Sequence, residues 1–264
     1  MRLAIHGTTG RMGLAVLRAA RAAGNVEIVG GACAPSDPGV GKDLGELSGT
    51  GPLGVVATAD VGSALLGADV VVDFSLASVA PVLFATAARQ RIAIVSGTTG
   101  LDATGERALE KAAGAVPVLW APNMSLGIQV LAEVVEHAVR RLGPAFDVEI
   151  VELHHRRKVD APSGTAKRLA QAARAARSEL SELEARSGDV GARKTNELGV
   201  FGIRGGDVVG DHTVFFLGNG DRIEITHRAS TRDTFAVGAV RAALWVAGCQ
   251  PGLYDMRNVL GLGF

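Results

Sequence analysis

The first half of the chain alternates short apolar runs with stretches of helical period. The runs predict strands at Arg2–His6, Val26–Cys33, Val55–Thr58, Asp69–Ser75, Ile92–Thr98 and Val116–Ala121. Helices are predicted at Arg11–Ala23, Val79–Arg89 and Thr104–Gly114, and a loop rich in Pro, Gly and Ser at Ala34–Gly54. Strands that are apolar throughout and alternate with helices are typical of a parallel sheet covered on both faces. The pattern therefore predicts a doubly wound α/β domain.

The pattern changes from Leu126 onward. A long helix with apolar positions three and four residues apart is predicted at Leu126–Leu142. The other predicted elements are a strand at Asp147–His154, a helix from about Ser163 to Arg177, strands at Val200–Ile203, Asp211–Leu217 and Arg222–Arg228, a helix at Arg232–Ala247 and the tail Gly252–Phe264. Strands that follow one another without helices between them predict a second, α+β domain with an open sheet, mixed or antiparallel.

The composition excludes several classes of function. Hydrophobic residues make up 47% of the chain and charged residues 20%, which is ordinary for a globular protein. Lysine plus arginine and aspartate plus glutamate each number 27, so there is no net charge to attract nucleic acid or an anionic membrane. Aromatic residues, at 4%, are too few to build a stacking platform for bases. We therefore expect neither a nucleic-acid partner nor a membrane partner.

The cysteines and the longest uncharged stretch indicate where the protein works. Cys33 and Cys249 lie far apart and form no Cys-x-x-Cys pair, so we expect neither a disulfide framework nor a metal site. The short apolar run at the start ends at glycines, unlike a signal peptide. The uncharged stretch Ala112–Ala132 is interrupted by Pro117 and Pro122, unlike a membrane span. These features favour a soluble protein of the reducing cytoplasm.

A glycine turn joins the first predicted strand to the first predicted helix. Gly7, Gly10 and Gly13 allow a tight turn that brings helix amides close to a pyrophosphate. The dinucleotide fingerprint G-x-G-x-x-G has glycine where this chain has Thr9, so the match is imperfect. The alternative is that the glycines serve packing alone, although their place after strand one of an α/β chain favours a dinucleotide.

The sequence leaves the choice between NADH and NADPH open. An acidic residue at the end of strand two usually holds the adenosine ribose, but here that strand runs into Ala34 and Pro35, and the nearest acid is Asp37. Arg11 is available to a 2′-phosphate, and it is equally well explained as an exposed helix arginine.

Two further turns, at residues 96–100 and 121–125, follow predicted strands of the same domain. Ligands of doubly wound sheets bind at the carboxyl ends of the strands, where these turns fall. Asn123 and Ser125 have an alternative role as caps of the helix Leu126–Leu142. Capping and cofactor contact are compatible, because backbone groups can face the ligand while side chains cap the helix.

A basic cluster precedes a predicted helix in the second half. His154, His155 and three cations ending at Lys158 follow a strand, and Ser163-Gly164-Thr165 opens the helix. Helix amides, the Thr165 hydroxyl and Lys158 together suit the carboxylates of a small dianion, and a histidine beside them can move a proton. The alternative is a solvated basic turn, which is the commoner meaning of a charge run.

Other site chemistries fail on spacing. Two adjacent histidines without a third ligand do not make a zinc site, and the chain has no serine in a G-x-S-x-G elbow. Tyr254 is followed four residues later by Asn258 rather than by the lysine of short-chain dehydrogenases. Lys42 is followed by Asp43 and lacks the upstream glycine of a P-loop.

These motifs together resemble the 4-hydroxy-tetrahydrodipicolinate reductase (dihydrodipicolinate reductase) family of diaminopimelate and lysine biosynthesis. The resemblance rests on GTTGRMG at 7–13, DFS at 73–75, SGTTG at 96–100, APNMS at 121–125 and above all ELHHRRKVDAPSGTA at 152–166. It continues through residues 202–206, 210–213 and 226–232, and so covers essentially the whole chain.

The resemblance implies a Rossmann-like cofactor domain at residues 1–125 and 235–264, and a domain for substrate binding and oligomerisation at 126–234. It implies a homotetramer that transfers hydride from NADH or NADPH to a small dicarboxylate substrate with loss of water. The implied catalytic residues are His154 and Lys158, and the implied substrate contacts are His155, Gly164 and Thr165. The implied cofactor contacts are Gly7, Thr8, Thr9, Gly10, Arg11, Met12, Gly97, Thr98, Thr99, Ala121, Pro122, Asn123 and Met124.

The sequence departs from the family pattern at two places, and both concern the cofactor. Thr9 replaces a common glycine, and Ala34-Pro35 stands where the family often carries an acid. Two other functions stay open at this point. One is another NAD(P)-dependent reductase of a small amino or keto acid, which has no need for the motif around His154. The other is a non-catalytic dinucleotide sensor, which would be indifferent to loss of His154 and Lys158.

Overall fold

A computed structural model describes residues 1–183, 185–231 and 233–262. The chain folds into two compact units, one formed by Met1–Leu126 with Arg232–Phe264 and the other by Gly127–Thr231. Both ends of the chain therefore belong to the same unit.

The strands and helices are numbered in chain order. The strands are β1 (Arg2–His6), β2 (Glu27–Ala32), β3 (Ala57–Thr58), β4 (Val70–Asp73), β5 (Ala93–Ser96), β6 (Pro117–Trp120), β7 (Asp147–His154), β8 (Ser181–Leu183), β9 (Glu197–Arg204), β10 (Gly210–Leu217), β11 (Arg222–Ala229) and β12 (Gly252–Tyr254). The helices are α1 (Arg11–Ala23), α2 (Leu44–Ser48), α3 (Val61–Ala64), α4 (Ala80–Gln90), α5 (Ala103–Ala113), α6 (Leu126–Leu142), α7 (Gly164–Ala176), α8 (Asp233–Val246) and α9 (Met256–Leu260).

The first unit is built on a parallel sheet. Within the described residues its seven strands lie in the order β12-β6-β5-β4-β1-β2-β3. Successive residues of one strand pack into different cores: Leu3 and Ile5 lie with α1 and α8, whereas Ala4 lies with α4 and α5. Helices therefore cover both faces, which explains why the strands read as continuous apolar runs. This confirms the predicted doubly wound α/β architecture.

The end of the chain completes the first unit. α8 contributes Ala236, Ala239 and Ala243 to the core that also contains Leu3. A Cβ at Gly238 would collide with the carbonyl oxygen of Met124, so this glycine allows α8 to lie directly on the turn after β6. The predicted helix Arg232–Ala247 is thereby confirmed from Asp233 onward, and Arg232 and the last two residues of the predicted tail lie outside the described residues.

The second unit is a mixed sheet covered on one face. Its strands lie in the order β11-β10-β7-β9-β8 within the described part of the chain, with β7, β9 and β8 parallel and β10 antiparallel to β7 and β11. One face packs on α6 and α7 through a core of Ile150, Val200, Val214 and Phe216. The predicted α+β domain is confirmed, and its sheet is mixed rather than purely antiparallel.

Several short elements depart from the prediction. The predicted loop Ala34–Gly54 contains α2, which begins after Asp43 because the Asp43 carboxylate accepts hydrogen bonds from the Gly45 and Glu46 amides. β8, β12, α3 and α9 also lie where no element was predicted, since none is long enough to show a period. No helix among the described residues is both long and apolar enough to cross a bilayer.

Candidate active site

The glycine turn after β1 has the geometry of an anion cradle. Gly7 has a φ of +78°, and a Cβ there would lie 2.8 Å from the Phe74 carbonyl oxygen, so only glycine fits. A Cβ at Gly13 would collide with the Gly7 carbonyl. α1 begins at Arg11 without a side-chain cap, and no described residue accepts a hydrogen bond from the Arg11 or Met12 amide. Amides in this position, aided by the helix dipole, bind phosphate.

The residues of the turn differ in exposure. Gly10 and Arg11 are exposed, and Thr9 and Met12 are half-buried. Thr8 is fully buried, and its hydroxyl finds no hydrogen-bond partner among the described residues. The turn therefore presents Thr9, Arg11 and its amides at the surface, while Thr8 supports it from within.

Thr9, the residue that departs from the dinucleotide fingerprint, is hydrogen-bonded to Asp37, the nearest acid after β2. Thr9 Oγ1 donates a hydrogen bond to Asp37 Oδ2 at 2.7 Å, and the Gly39 amide donates to Asp37 Oδ1 at 2.7 Å. These two hydrogen bonds hold the pKa of Asp37 below its ordinary value, so the carboxylate is ionised at neutral pH. A negative charge therefore lies beside the glycine turn.

Asp73, the last residue of β4, fastens the neighbouring loops. Its Oδ1 accepts hydrogen bonds from His6 Nδ1 at 2.9 Å and from the Ser75 amide at 3.0 Å. Its Oδ2 accepts from the hydroxyls of Ser96 and Thr98, both at 2.8 Å. Burial raises the pKa of Asp73, but the hydrogen bonds, led by that from His6, outweigh it and hold the pKa below its ordinary value. One ionised carboxylate thus joins the ends of β1 and β5 to the loops that follow β4 and β5.

The loop after β5 is held tightly up to its tip. Gly97 and Thr98 are buried, and a Cβ at Gly97 would collide with the ring of Phe74. Trp120 Nε1 donates to the Thr98 carbonyl at 2.9 Å. Thr99 is exposed. Of the predicted contacts in this loop, only Thr99 lies at the surface of the unit.

The turn after β6 is ordered by a side chain. Ala121 and Met124 are buried, Asn123 is half-buried and Pro122 is exposed. Asn123 Oδ1 accepts a hydrogen bond from the Ser125 amide at 2.8 Å, directly ahead of α6. This contact shapes the turn that leads into α6, whereas the capping role considered for Asn123 from the sequence requires a bond to an amide of the first helical turn; Pro122 stays at the surface.

These loops suit a dinucleotide. The strands are parallel, so the loops after β1, β5 and β6 lie at one edge of the sheet, the edge where doubly wound folds bind ligands. The cradle formed by Gly7 and Gly13 and the amides of Arg11 and Met12 match a pyrophosphate. NADH and NADPH both carry that group.

In the second unit, His154 at the end of β7 is oriented by a buried carboxylate. His154 Nδ1 lies 2.6 Å from Glu152 Oε2, and the two side chains share one face of the strand because they are two residues apart. His154 is nearly buried, with a relative exposure of 9%. A Cβ at Gly210 would lie 2.9 Å from His154 Nε2, so this glycine leaves room for the second ring nitrogen.

Arg204 compensates the buried charge of Glu152. Its two Nη atoms donate to Glu152 Oε2 at 2.8 Å and Oε1 at 2.7 Å. The Ser163 amide adds a hydrogen bond to Oε1 at 3.1 Å. Burial raises the pKa of Glu152, but the hydrogen bonds from Arg204 and His154 lower it below its ordinary value. An ionised Glu152 therefore connects β7, β9 and the start of α7.

Lys158 is held by a neighbouring acid. Its Nζ donates to both oxygens of Asp160, at 2.8 and 2.9 Å, and this ion pair lowers the pKa of Asp160. The Asp160 carbonyl also accepts from Arg204 at 2.6 Å, so the loop that carries Lys158 is tied to the Glu152 cluster. The backbone amide of His155 donates to the Val208 carbonyl at 2.8 Å.

The two arginines of the basic cluster lie apart from these contacts. Arg156 and Arg157 line a cavity of about 380 Å³ together with Gly206 and Asp207. The described ion pairs of Glu152 and Asp160 are with His154, Arg204 and Lys158, so Arg156 and Arg157 take no part in them.

The start of α7 offers a donor to an anion. Ser163 caps the helix, its Oγ accepting from the Ala166 amide at 3.2 Å. No described residue accepts a hydrogen bond from the Gly164 amide, and the space next to the Gly164 Cα is open. Thr165 is half-buried in the first turn. The predicted substrate residues Gly164 and Thr165 therefore follow directly on the serine whose amide binds Glu152.

Glu152, Arg204 and His212 also lie in this cluster, although no role was predicted for them from the sequence. Glu152 was detectable, because a glutamate two positions before a histidine shares its face in a strand. Arg204 and His212 were not, since they reach the cluster only through the pairing of β9 and β10 with β7.

Comparison with known proteins decides the family. Residues 1–124 match the family model "Dihydrodipicolinate reductase, N-terminus", and residues 127–260 match "Dihydrodipicolinate reductase, C-terminus". This chain belongs to the dihydrodipicolinate reductase family.

Full-length relatives support the same assignment. The 4-hydroxy-tetrahydrodipicolinate reductase of Myxococcus xanthus is 48% identical, over 99% of this chain and 98% of the relative. That of Alkalilimnicola ehrlichii is 47% identical, over 99% of each chain. The dipicolinate-bound dihydrodipicolinate reductase from Paenisporosarcina sp. TG-14 shares the fold, with a TM-score of 0.78, 23% identity and 98% of each chain covered. Membership confirms the predicted NAD(P)H-dependent oxidoreductase.

Proposed function

We propose that this chain reduces 4-hydroxy-tetrahydrodipicolinate to tetrahydrodipicolinate with hydride from NADH or NADPH, releasing water, in diaminopimelate and lysine biosynthesis. The relatives that match its whole length carry the reductase name. The observation that carries the proposal is the His154–Glu152 pair, joined through the Ser163 amide to the start of α7. This pairing puts a proton-exchanging ring beside a site for carboxylates.

His154 and Lys158 carry out the proton transfers of this reaction. Bound NADH or NADPH supplies the hydride, which adds at C4 of the conjugated imine left when the 4-hydroxyl departs as water. The Glu152 carboxylate holds His154 Nδ1, so Nε2 is the nitrogen that exchanges a proton with the substrate. Lys158 donates the proton that quenches the negative charge built up by hydride addition, and its own charge lowers the cost of that build-up.

The substrate carboxylates bind at the start of α7. The Gly164 amide, the Thr165 hydroxyl, His155 and Lys158 are the donors we assign to them. The dipicolinate in the Paenisporosarcina relative is a small dicarboxylate of the same kind. Because Lys158 is paired with Asp160, a carboxylate must compete with that acid for the ammonium group.

We assign residues 1–125 and 235–264 to the cofactor and residues 126–234 to substrate binding and oligomerisation. The anion cradle lies in the first of these segments, and the His154 cluster lies in the second. We also assign the enzyme to the cytoplasm, consistent with its two free cysteines.

A homotetramer is supported by the face of the mixed sheet that lies away from α6 and α7, part of which Arg186 covers, with its guanidinium 5.6 Å from the Phe201 ring centroid. Val151, Phe201 and Phe215 alternate with core residues and therefore lie on the face away from α6 and α7. Ile203 is 50% exposed and Leu217 36% exposed on the same face. Apolar side chains in a row on one sheet face favour contact with further copies of the chain.

The reaction is tested by initial rates with NADH and with NADPH, using substrate made in place from pyruvate and aspartate semialdehyde by the preceding synthase. We expect cofactor oxidation that depends on the synthase. Oxidation with other small keto or imino acids only would establish a different reductase. Dinucleotide binding without oxidation of either cofactor would establish a sensor. Light scattering on the same sample measures the mass and tests the tetramer.

A further inference from the structure

His212 on β10 lies against two residues of the proposed substrate site. It is 3% exposed, and its Nε2 lies 3.0 Å from Ser163 Oγ. Its ring packs edge-on against His154, with 5.2 Å between ring centroids and 75° between planes. Its Nδ1 is buried and has no hydrogen-bond partner among the described residues. A buried polar atom without a hydrogen-bond partner lowers the stability of the fold, so a functional reason for His212 beside Ser163 is expected.

His212 is uncharged at neutral pH. Burial, reinforced by repulsion from His154, His227 and Lys158, lowers the pKa of His212 to about 3, and the attraction of Glu152 does not offset this. The ring therefore carries a single hydrogen, on Nδ1 or on Nε2.

Without a ligand, one of the two polar hydrogens carried by the His212 ring and the Ser163 hydroxyl lacks an acceptor. Ser163 Oγ already accepts from the Ala166 amide. If Ser163 donates its hydroxyl proton to His212 Nε2, the hydrogen on Nδ1 has no acceptor. If His212 Nε2 donates to Ser163 Oγ, the serine hydroxyl proton has no acceptor. Each arrangement leaves one buried hydrogen without an acceptor among the described residues, at the start of the helix that carries the Gly164 amide.

An anion at the start of α7 resolves only the second arrangement. A carboxylate that accepts from the Gly164 amide is also placed to accept from the Ser163 hydroxyl, because the two groups belong to consecutive residues at the helix start. The unprotonated Nδ1 of His212 is then a bare acceptor, which costs less to bury than an N–H group without an acceptor.

We propose that His212 is a positioning residue of the substrate site: it donates from Nε2 to Ser163 and so turns the serine hydroxyl toward a substrate carboxylate. The inference rests on the proposed function and adds Ser163 to the donors for the dicarboxylate. His212 does not touch the reacting atoms, and its effect passes through Ser163.

The test uses two substitutions of equal charge that place an amide nitrogen differently. H212Q puts its amide near the position of Nε2, and H212N puts its amide near the position of Nδ1. Both are compared with S163A, with the double variant S163A/H212N and with H137Q, which removes an exposed histidine from α6. Binding of dipicolinate is measured by calorimetry, and KM and kcat are measured with substrate from the coupled synthase.

We expect H212N to raise the dipicolinate Kd and the substrate KM about tenfold, the effect of one hydrogen bond, with kcat changed less than about threefold. H212Q restores most of the affinity, S163A matches H212N, and the double variant is no worse than S163A. H137Q behaves as the unsubstituted chain. If H212N does not fold, S163A and S163A/H212Q carry the same comparison.

Three results would overturn the proposal. The first is unchanged KM and Kd in H212N. The second is additive effects of S163A and H212N. The third is a loss of kcat without a change in KM, which would assign His212 to the support of His154. In each case an active, dipicolinate-binding unsubstituted chain leaves the reductase function standing, whereas an unsubstituted chain that neither turns over nor binds dipicolinate removes both.

Discussion

The hydroxyl of Thr9 donates a 2.7 Å hydrogen bond to Asp37 and thereby fixes a negative charge beside the glycine turn. In dinucleotide domains, an acid that follows strand two accepts the ribose hydroxyls and opposes a 2′-phosphate. Asp37 lies five residues beyond the end of β2 at Ala32, so the sequence pattern identifies it only as the nearest acid. The threonine that departs from the fingerprint is the residue that holds the acid at the turn.

We expect NADH to be preferred over NADPH for this reason. D37N removes the charge and should raise the kcat/KM for NADPH relative to NADH by about fivefold, the size of one screened charge interaction near a surface. T9V leaves the carboxylate charged but releases it, so its effect should be smaller and in the same direction. Initial rates with each cofactor at fixed substrate measure the ratio.

E27Q is the matched control for D37N. Glu27 is an exposed acid at the amino end of β2, at the edge of the sheet away from the turn. E27Q should leave the ratio of kcat/KM for NADPH to that for NADH unchanged. An equal shift in E27Q would trace the effect to net charge, and no shift in D37N would place the adenosine ribose elsewhere.

Loss of either proton-handling residue should lower turnover. H154A and K158A are each expected to reduce kcat by about 10²- to 10³-fold, the range for a positioned proton donor. R157A changes a neighbouring cation that lines the cavity with Asp207, and it should keep kcat near that of the unsubstituted chain. Near-normal kcat in H154A or K158A would refute the role given to that residue.

Thr165 is expected to act on binding. T165V removes the hydroxyl but keeps the shape of the side chain, so KM should rise by about tenfold and kcat should change less, because the hydroxyl binds the ground state and transition state alike. T165S keeps the hydroxyl and should restore KM. An unchanged KM in T165V would move the carboxylate to other donors.

The sequence was most informative where a continuous pattern of apolar residues determines the local structure. Continuous apolar strands predict a parallel sheet because both faces are covered, and β1, α1, α6 and β7 occur where the pattern places them. The three loops that we propose for the cofactor follow from the same logic, since parallel strands bring their carboxyl ends to one edge.

Long-range pairing was beyond the sequence. The contact of Arg204 with Glu152 spans 52 positions and depends on the register of β9 beside β7. Asp73 was visible only as part of a familiar motif, because its four donors come from three separate parts of the chain: the end of β1, the loop after β4, and the end of β5 with its following loop. Neither arrangement has a periodicity or spacing that a single chain displays.

The space at Gly210 should matter to catalysis. A Cβ there would lie 2.9 Å from His154 Nε2, the nitrogen that exchanges the proton, so G210A must displace the ring. We expect kcat to fall by at least about tenfold while the protein stays folded. G205A is the control, because nothing lies within 4 Å of a Cβ at that exposed glycine. Equal kcat in the two variants would show that His154 tolerates the shift.

Asp73 should make the stability of the first unit depend on pH. D73N breaks the buried pair with His6, and we expect it to lower the free energy of unfolding by about 3 kcal/mol at pH 7. The folded pKa of Asp73 lies below its unfolded value, so the stabilisation is present above about pH 4 and is lost as pH falls through the folded pKa. The difference in free energy of unfolding between D73N and the unsubstituted chain should therefore be constant from pH 7 to pH 5 and shrink below pH 4. Urea denaturation across this range measures it, with D102N as the control, since Asp102 is an exposed helix cap of the same unit. A difference that does not change with pH would mean that Asp73 contributes by shape and not by charge.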